Sequence, residues 1–405
     1  MPGAASTFRP NRLGRVITED GDKQRLRVGV VGFGWMGQLH SRSYLRVGQH
    51  YPDLGLRPEL VAVADSASDD RLRRAVEAYG FADTYTDWRE LIARDDIDLV
   101  SITAPNFLHH EVGIAAARAG KHVWIEKPAG RSAAETREIR DAVAAAGRHS
   151  AAGFNYRHPP AVQLAKSMIE SGRLGTLEHI TVRLLADYAA DPRALLSWRF
   201  EQARAGSGVL GDLVSHGVDL ARYLVGEITE LISDQATFIP QRQRGAVTAD
   251  RSAHGTGPLA EVENEDYTHA LLRFAGGVRG TLESSRVAVG EQCTYGFEVH
   301  GDQGAVAWDF RRMGELQICR GDDYVDAGYV THFVRPGDGE LGSFQPGSGV
   351  AMSFDDLKVI EAAQLITAIA TGRAVGPTLD DAVIAAEAVE AMQTSALERR
   401  WITLC

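Results

Sequence analysis

A chain of 405 residues is longer than one hydrophobic core usually organises, and its 44% hydrophobic content suits a globular protein of two domains. A formal net charge of −11 and a pI near 5.7 argue against a nucleic-acid surface, which needs clustered Lys and Arg to displace counterions, and point to a small-molecule partner. Three cysteines, Cys293, Cys319 and Cys405, lack metal-ligand spacing and support neither a disulfide framework nor a metal site, so a reducing cytoplasm is expected. No apolar run approaches the roughly 20 residues of a membrane-spanning helix. Met1 to Lys23 lacks the apolar core of a signal peptide, and residues 1–25 are read as a flexible arm or one that docks on a partner subunit.

Leu26 to Val31 is a β-branched apolar run that flows into Gly32-Phe33-Gly34-Trp35-Met36-Gly37, after which Gln38 to Val47 continues as a helix. In such a strand, turn and helix, Gly32 permits the sharp turn, Gly34 lets the backbone approach a pyrophosphate, and Gly37 lets helix and strand pack closely. The anion then sits on the unpaired amides of the new helix. Arg46 to Glu59 reads as an extended connection to a second strand, Leu60 to Ala64, which ends at Asp65. An acid there accepts hydrogen bonds from the adenine ribose and repels a 2′-phosphate, favouring NAD over NADP. Two alternatives stay open: Asp65 as part of a helix start near Asp70, and Arg71, Arg73 or Arg74 reaching the phosphate of NADP.

Ile97 to Thr103 forms the next strand, followed by Ala104-Pro105-Asn106 and a helix from His109 to Ala119. Lys121 to Ile125 forms another and ends on Glu126-Lys127-Pro128. Ligands of open α/β sheets bind outside the carboxyl ends of strands, so both tips are candidate site positions. The helix Ala133 to Ala146 and the strand Ser150 to Phe154 complete a β-α alternation that predicts a parallel sheet over residues 26–152. Beyond it, a helix at Ala161 to Glu170 precedes alternating strands at His179–Leu185, Tyr267–Phe274, Val278–Ser284, Tyr295–His300 and Ala305–Phe310, which predict an antiparallel or mixed sheet over residues 153–405. Gln241 to Glu261 and Arg335 to Val350 read as long loops, and helices Phe354–Thr371 and Asp380–Arg399 close the chain.

Within Gly206 to Gly226, a helix over Gly211 to Val225 places Asp212, His216 and Asp219 on one stripe, by spacings of four and three. That stripe is either a solvated helix face with Asp212 near the positive helix end or a set of proton-handling groups. His40 and His122 read as packing residues. Phe154, Tyr156 and Trp198 read either as core aromatics or as stacking surfaces for a ligand.

Taken together, Gly32 to Gly37, TAPNFLH (Thr103 to His109), AGKHVWIEKP (Ala119 to Pro128), GFNYR (Gly153 to Arg157) and Asp212 with His216 resemble the glucose-fructose oxidoreductase, inositol dehydrogenase and rhizopine catabolism (Gfo/Idh/MocA) family, from Leu26 to near Trp401. The resemblance implies an α/β Rossmann domain followed by an α+β domain with a large, mostly antiparallel, open-faced sheet, through which a homodimer or homotetramer forms. It implies oxidation of a sugar, glycoside or polyol by NAD, with NADP possible, and no metal. It places Lys127, Asp212 and His216 around the reacting carbon. Thr103, Ala104, Asn106, His109, Glu126 and Lys127 join Gly32, Phe33, Gly34, Trp35, Met36, Gly37 and Asp65 at the cofactor, and Asn155, Arg157, Trp198 and Arg199 hold the substrate. His216, with an unperturbed pKa near 6.5, suits a general base that Asp212 orients. Two alternatives differ in class. One is glycoside cleavage through transient oxidation with no net redox change, and the other is a dinucleotide-sensing regulator.

Overall fold

The computed structural model describes residues 24–66, 69–245, 254, 257–321 and 324–404. The amino-terminal arm through residue 23, Cys405 and most of the stretch from 246 to 256 lie outside the described residues. Six strands, β1 (Gln24–Val31), β2 (Leu56–Ala64), β3 (Asp83–Tyr85), β4 (Leu99–Ile102), β5 (His122–Ile125) and β6 (Ser150–Ala152), form one sheet in the order β3-β2-β1-β4-β5-β6. Every pair is parallel. Parallel neighbours need crossovers, supplied by α1 (Trp35–His50), α2 (Asp69–Tyr79), α3 (Trp88–Ile92), α4 (Asn106–Arg118) and α5 (Ala133–Ala145). The apolar runs of the strands are buried on both faces. Val28 and Val30 pack with Tyr44 and Val47 of α1 on one side, whereas Val31, Val100 and Ile102 pack with Val112 and Ile139 of α4 and α5 on the other. The strand order reverses between β1 and β4, which opens a crevice at their carboxyl ends.

The expected Rossmann sheet is therefore present, with local differences. α1 runs on to His50 and β2 starts at Leu56, so the connection expected over Arg46–Glu59 shrinks to Tyr51–Gly55. α4 begins at Asn106, three residues before the expected start. β3 and α3 carry too few apolar residues in a row to be visible in the sequence.

The second part begins with a 3-10 turn (Asn155–Arg157), α6 (Pro160–Glu170) and β7 (Leu177–Leu185). α7 (Gln202–Ala205) leads to a π-helical turn (Leu210–Val214) that continues directly as α8 (Ser215–Val225). Then come β8 (Ile228–Ala236), a small hairpin of β9 (Gln241–Gln243) and β10 (Leu259–Glu261), β11 (Tyr267–Phe274), β12 (Arg279–Ser285), β13 (Thr294–Gly301), β14 (Gly304–Asp309), β15 (Glu315–Arg320) and β16 (Tyr329–Phe333). The chain ends with α9 (Phe354–Thr371), α10 (Leu379–Glu398) and β17 (Ile402–Thr403). Nine of these strands form a sheet ordered β16-β15-β14-β13-β7-β12-β11-β8-β17, antiparallel except where β7 meets β12. Alternation along β11 shows why one face is covered: Thr268, Ala270, Leu272 and Phe274 are buried, while His269, Leu271 and Arg273 are exposed. The hairpin of β9 and β10 occupies both ends of the stretch expected to be a single loop.

α9 crosses back. Its Val359, Ala362, Leu365 and Ile366 join the core formed by β1, α1 and α2, and ion pairs from Arg42 to Asp355 and Arg46 to Asp356 fasten it to α1. A helix that follows the second sheet in sequence thus completes one layer of the first domain. α10 packs on α5 and β8 and spans both parts.

Candidate functional site

The glycine turn is built for close approach. Gly32 has φ of 88°, and a Cβ there would lie 2.6 Å from the Ala104 nitrogen, so only glycine fits. A Cβ on Gly37 would come within 2.1 Å of the Gly32 carbonyl. Around Gly34, by contrast, nothing lies within 4 Å of the Cβ position, and this residue begins α1 without any side-chain cap. Open space in front of uncapped helix amides is what a pyrophosphate requires. Thr103 Oγ1 donates to the Gly32 carbonyl at 2.6 Å and ties the tip of β4 to the turn. Asp65, at the tip of β2, accepts from the Phe33 amide at 2.6 Å and faces Arg71 at 3.4 Å. These residues fit a dinucleotide. Phe33 contributes its backbone only, because its ring is buried edge-on against Tyr79 and Phe81. Trp35 is exposed and stacks on Phe354, and Met36 is half-buried beside it.

The strand tips are braced from behind. His109 is buried between the carbonyls of Pro128 and Ala104, 2.8 and 2.7 Å from its two ring nitrogens, and so links the ends of β4 and β5. Asn106 Nδ2 donates to the Ala205 carbonyl at 3.1 Å and joins the first domain to the segment leading to α8. Glu126, expected beside the nicotinamide, instead lies in a buried ionic cluster, 2.6 Å from Lys358 Nζ and 2.9 Å from His40 Nε2. Burial opposes its charge, but Lys358 and His40 hold the carboxyl well below the usual carboxylate range. His40 also stacks on Trp124 at 3.6 Å, so its packing role is combined with a polar one.

Lys127 and Asp212 come together as expected. Lys127 Nζ donates to the Asp212 carbonyl at 2.7 Å and to Oδ1 at 3.1 Å. The other carboxylate oxygen, Oδ2, accepts from the hydroxyl of Tyr188. Burial raises the Asp212 pKa, but Lys127, Arg199 and Tyr188 together bring it well below the ordinary value. His216 is buried, with Tyr156 at 4.6 Å and Phe154 at 5.9 Å between ring centroids. Burial first, then the charge of Lys127, pushes its pKa well down, so the ring is a neutral imidazole at neutral pH.

Asp212 and His216 share no hydrogen bond among the described residues, where His216 Nδ1 is buried without a partner. The physical reason is the π-helical turn: Ser215 donates to the carbonyl of Leu210, five residues back, and the wider turn takes Asp212 off the α-helical stripe. Asp219, one turn further along α8, has a different partner. It is buried and paired with Arg157, whose Nε donates to Oδ2 at 2.8 Å and whose Nη2 also reaches Asp381 at 2.8 Å. Arg157, expected at the substrate, is thus committed to carboxylates of α8 and α10. Asn155 is buried with no partner for Nδ2 among the described residues. Arg199 lies over the Trp198 ring at 4.4 Å, and Trp198 meets Phe107 edge-on at 6.1 Å. Tyr188 and Lys358 escaped the sequence reading. The first sits in an irregular segment after β7, and the second is one lysine in an apolar helix.

A glycine turn shaped for a dinucleotide, with a lysine, a carboxylate and a neutral histidine meeting across two domains, defines a nicotinamide-dependent oxidoreductase. Residues 26–154 match the family described as Oxidoreductase family, NAD-binding Rossmann fold, and residues 162–307 match the GFO/IDH/MocA C-terminal domain. The chain belongs to this family, and NAD is its cofactor. It is 36% identical over 383 residues to levoglucosan dehydrogenase of Pseudarthrobacter phenanthrenivorans, covering 94% of this chain and 98% of that relative. It is 28% identical to inositol 2-dehydrogenase of Rhizobium meliloti, covering 94% and 99%. Among solved structures, levoglucosan dehydrogenase in complex with NADH and levoglucosan superposes with a TM-score of 0.87 at 34% identity, over 94% of this chain and 99% of that one. No helix among the described residues is long and apolar enough to cross a membrane.

Proposed function

We propose that this chain oxidises a secondary alcohol of a sugar, anhydrosugar or polyol, with His216 taking the hydroxyl proton and Lys127 steadying the developing alkoxide. The observation that carries the reading is the junction of Lys127 from the first domain with Asp212 from the second, beside a buried, neutral His216. A bound NAD supplies the hydride acceptor. Lys127 has three donors, of which two hydrogen bonds go to Asp212, leaving one for a substrate oxygen. Tyr188 and Lys127 fix the Asp212 carboxylate from both sides, so that its charge stands beside the Lys127 amine. His216 is a base without a competing proton at neutral pH.

The names of the relatives support this substrate class, and levoglucosan and inositols are the first compounds to test. The test is NAD reduction, followed by NADH absorbance, over levoglucosan, inositols, aldoses and glycosides. Stoichiometric NADH supports the reading, and glycoside cleavage without NADH points to the self-recycling alternative. Failure of every compound with both NAD and NADP overturns it. We further propose that copies associate through the open face of the nine-stranded sheet, which exposes Leu271, Tyr329 and Phe333, and that the protein works in the cytoplasm. Light scattering that returns a monomer at micromolar concentration contradicts the first of these.

A further inference from the structure

Three consecutive polar residues, Asn264, Glu265 and Asp266, are buried just ahead of β11, with exposures of 5%, 8% and 0%. Each commits its side chain to a different set of partners. Glu265 Oε1 accepts from the amides of Gly208 at 2.8 Å and Leu210 at 2.9 Å, and its backbone carbonyl accepts from Val209 at 3.0 Å. These amides open the turn that carries Asp212, where a helix start has no internal acceptors. The contact is close enough that a Cβ on Gly208 would lie 2.1 Å from the Glu265 carbonyl. Asn264 Nδ2 donates to the carbonyl of Arg199 at 2.9 Å, while its Oδ1 accepts from Arg286 at 2.8 Å. Asp266 anchors the group. Its Oδ1 accepts from Arg286 Nε at 2.8 Å, and its Oδ2 accepts from the amides of Phe238 and Ile239, each at 3.0 Å.

We propose that Asn264-Glu265-Asp266 is a positioning module for the alcohol oxidation, in which Glu265 sets the turn that presents Asp212 to Lys127 and Asn264 sets Arg199 at the substrate side. The inference rests on the functional reading of Lys127, Asp212 and His216. A π-helical turn has weaker internal constraints than an α-helix, so its geometry is set from outside. Two charge-assisted bonds to one carboxylate oxygen supply that restraint. No other described side chain holds the amides of Gly208 and Leu210.

The test uses Glu265→Ala, Glu265→Gln and Asn264→Ala in the full chain. Glu265→Ala is expected to lower kcat roughly 10-fold to 100-fold through misplacement of Asp212, with NADH affinity changed by less than about threefold. Glu265→Gln retains an oxygen for both amides and is expected to recover kcat to within about threefold of the parent. Asn264→Ala is expected to raise KM for the sugar about tenfold and leave kcat nearly unchanged. Hydrogen exchange at Gly208 to Asp212, which needs no substrate, is expected to accelerate in Glu265→Ala and not in Glu265→Gln. A parent-like kcat in Glu265→Ala, equal impairment in Glu265→Gln, or faster exchange spread over the whole chain overturns the proposal. Should the parent chain oxidise no sugar, the functional reading fails by itself, and the exchange pattern alone then supports or overturns the positioning role.

Discussion

Lys127 Nζ reaches both the backbone carbonyl and the carboxylate of Asp212, at 2.7 and 3.1 Å, and this is the contact through which the dinucleotide domain meets the turn ahead of α8. The side chain of Lys127 is 15% exposed and that of Asp212 38%, so the pair is partly open to solvent. The contact is best valued by what it positions, because at such partial exposure solvent screens the pair.

Lys127→Ala removes the donor for the developing alkoxide. Turnover is expected to fall roughly 10²-fold to 10⁴-fold while NAD still binds. Steady-state kinetics together with NADH fluorescence titration check both halves. Near-normal turnover would falsify the role of Lys127, and lost NADH affinity would assign it to binding.

Asp65 accepts from the Phe33 amide and stands beside Arg71. Its carboxylate repels a 2′-phosphate, whereas Arg71 attracts one. Asp65→Ser is expected to raise KM for NAD about tenfold and to narrow the preference over NADP by at least as much, since the remaining arginine then faces the phosphate. Measured kcat/KM ratios for the two cofactors decide it, and an unchanged ratio places the discrimination elsewhere.

The strand tips were legible because strand, turn and helix leave periodic and glycine signatures over short distances. Gly32, Gly34, Gly37, Asp65 and Lys127 all lie where that logic puts them. The α-helical spacing of Asp212, His216 and Asp219 misled, because a single π-helical turn at Leu210–Val214 rotates one residue against the others and no residue type announces it. The surroundings of Glu126 were hidden for another reason. Its partner Lys358 is 232 positions away, on a helix that returns from the second domain, and long-range ion pairs leave no local pattern. Arg157 shows the same limit, since its guanidinium is claimed by Asp219 and Asp381, which only the packed structure brings together.

Lys358 is buried at the join between α9 and the parallel sheet, where it neutralises Glu126 and also contacts Glu361 at 2.7 Å. Lys358→Met keeps the stem but leaves two carboxyl groups without a counter-charge. A loss of about 3–5 kcal/mol of unfolding free energy is expected, as for other half-broken buried pairs. Combining it with Glu126→Gln is expected to restore part of that loss. Urea unfolding of the single and double variants measures both, and an additive double variant argues against coupling.

Acid sensitivity follows from the buried histidines. Burial pushes His40 and His122 down to about 4 and His158 to about 3, and lowers His109 and His216 as well. The unfolded chain protonates these rings near pH 6.5 while the folded one keeps them neutral, so they cost nothing above that pH. As pH falls below about 6.5 the unfolded state gains protons that the folded state refuses, and each ring removes up to about 1.4 kcal/mol per pH unit until its folded pKa is reached. Burial raises Asp219 to about 6 and pushes Glu265, and Glu361 despite Lys358, upward, and these three act in the opposite sense, losing stability as pH rises through the acid range. Five rings outweigh three carboxyl groups, so urea unfolding at pH 6.5, 5.5 and 4.5 is expected to show falling stability. His158→Gln removes one contributor and should flatten that slope by about one proton. A stability that is level or rises on acidification shows that these rings are protonated in the folded state.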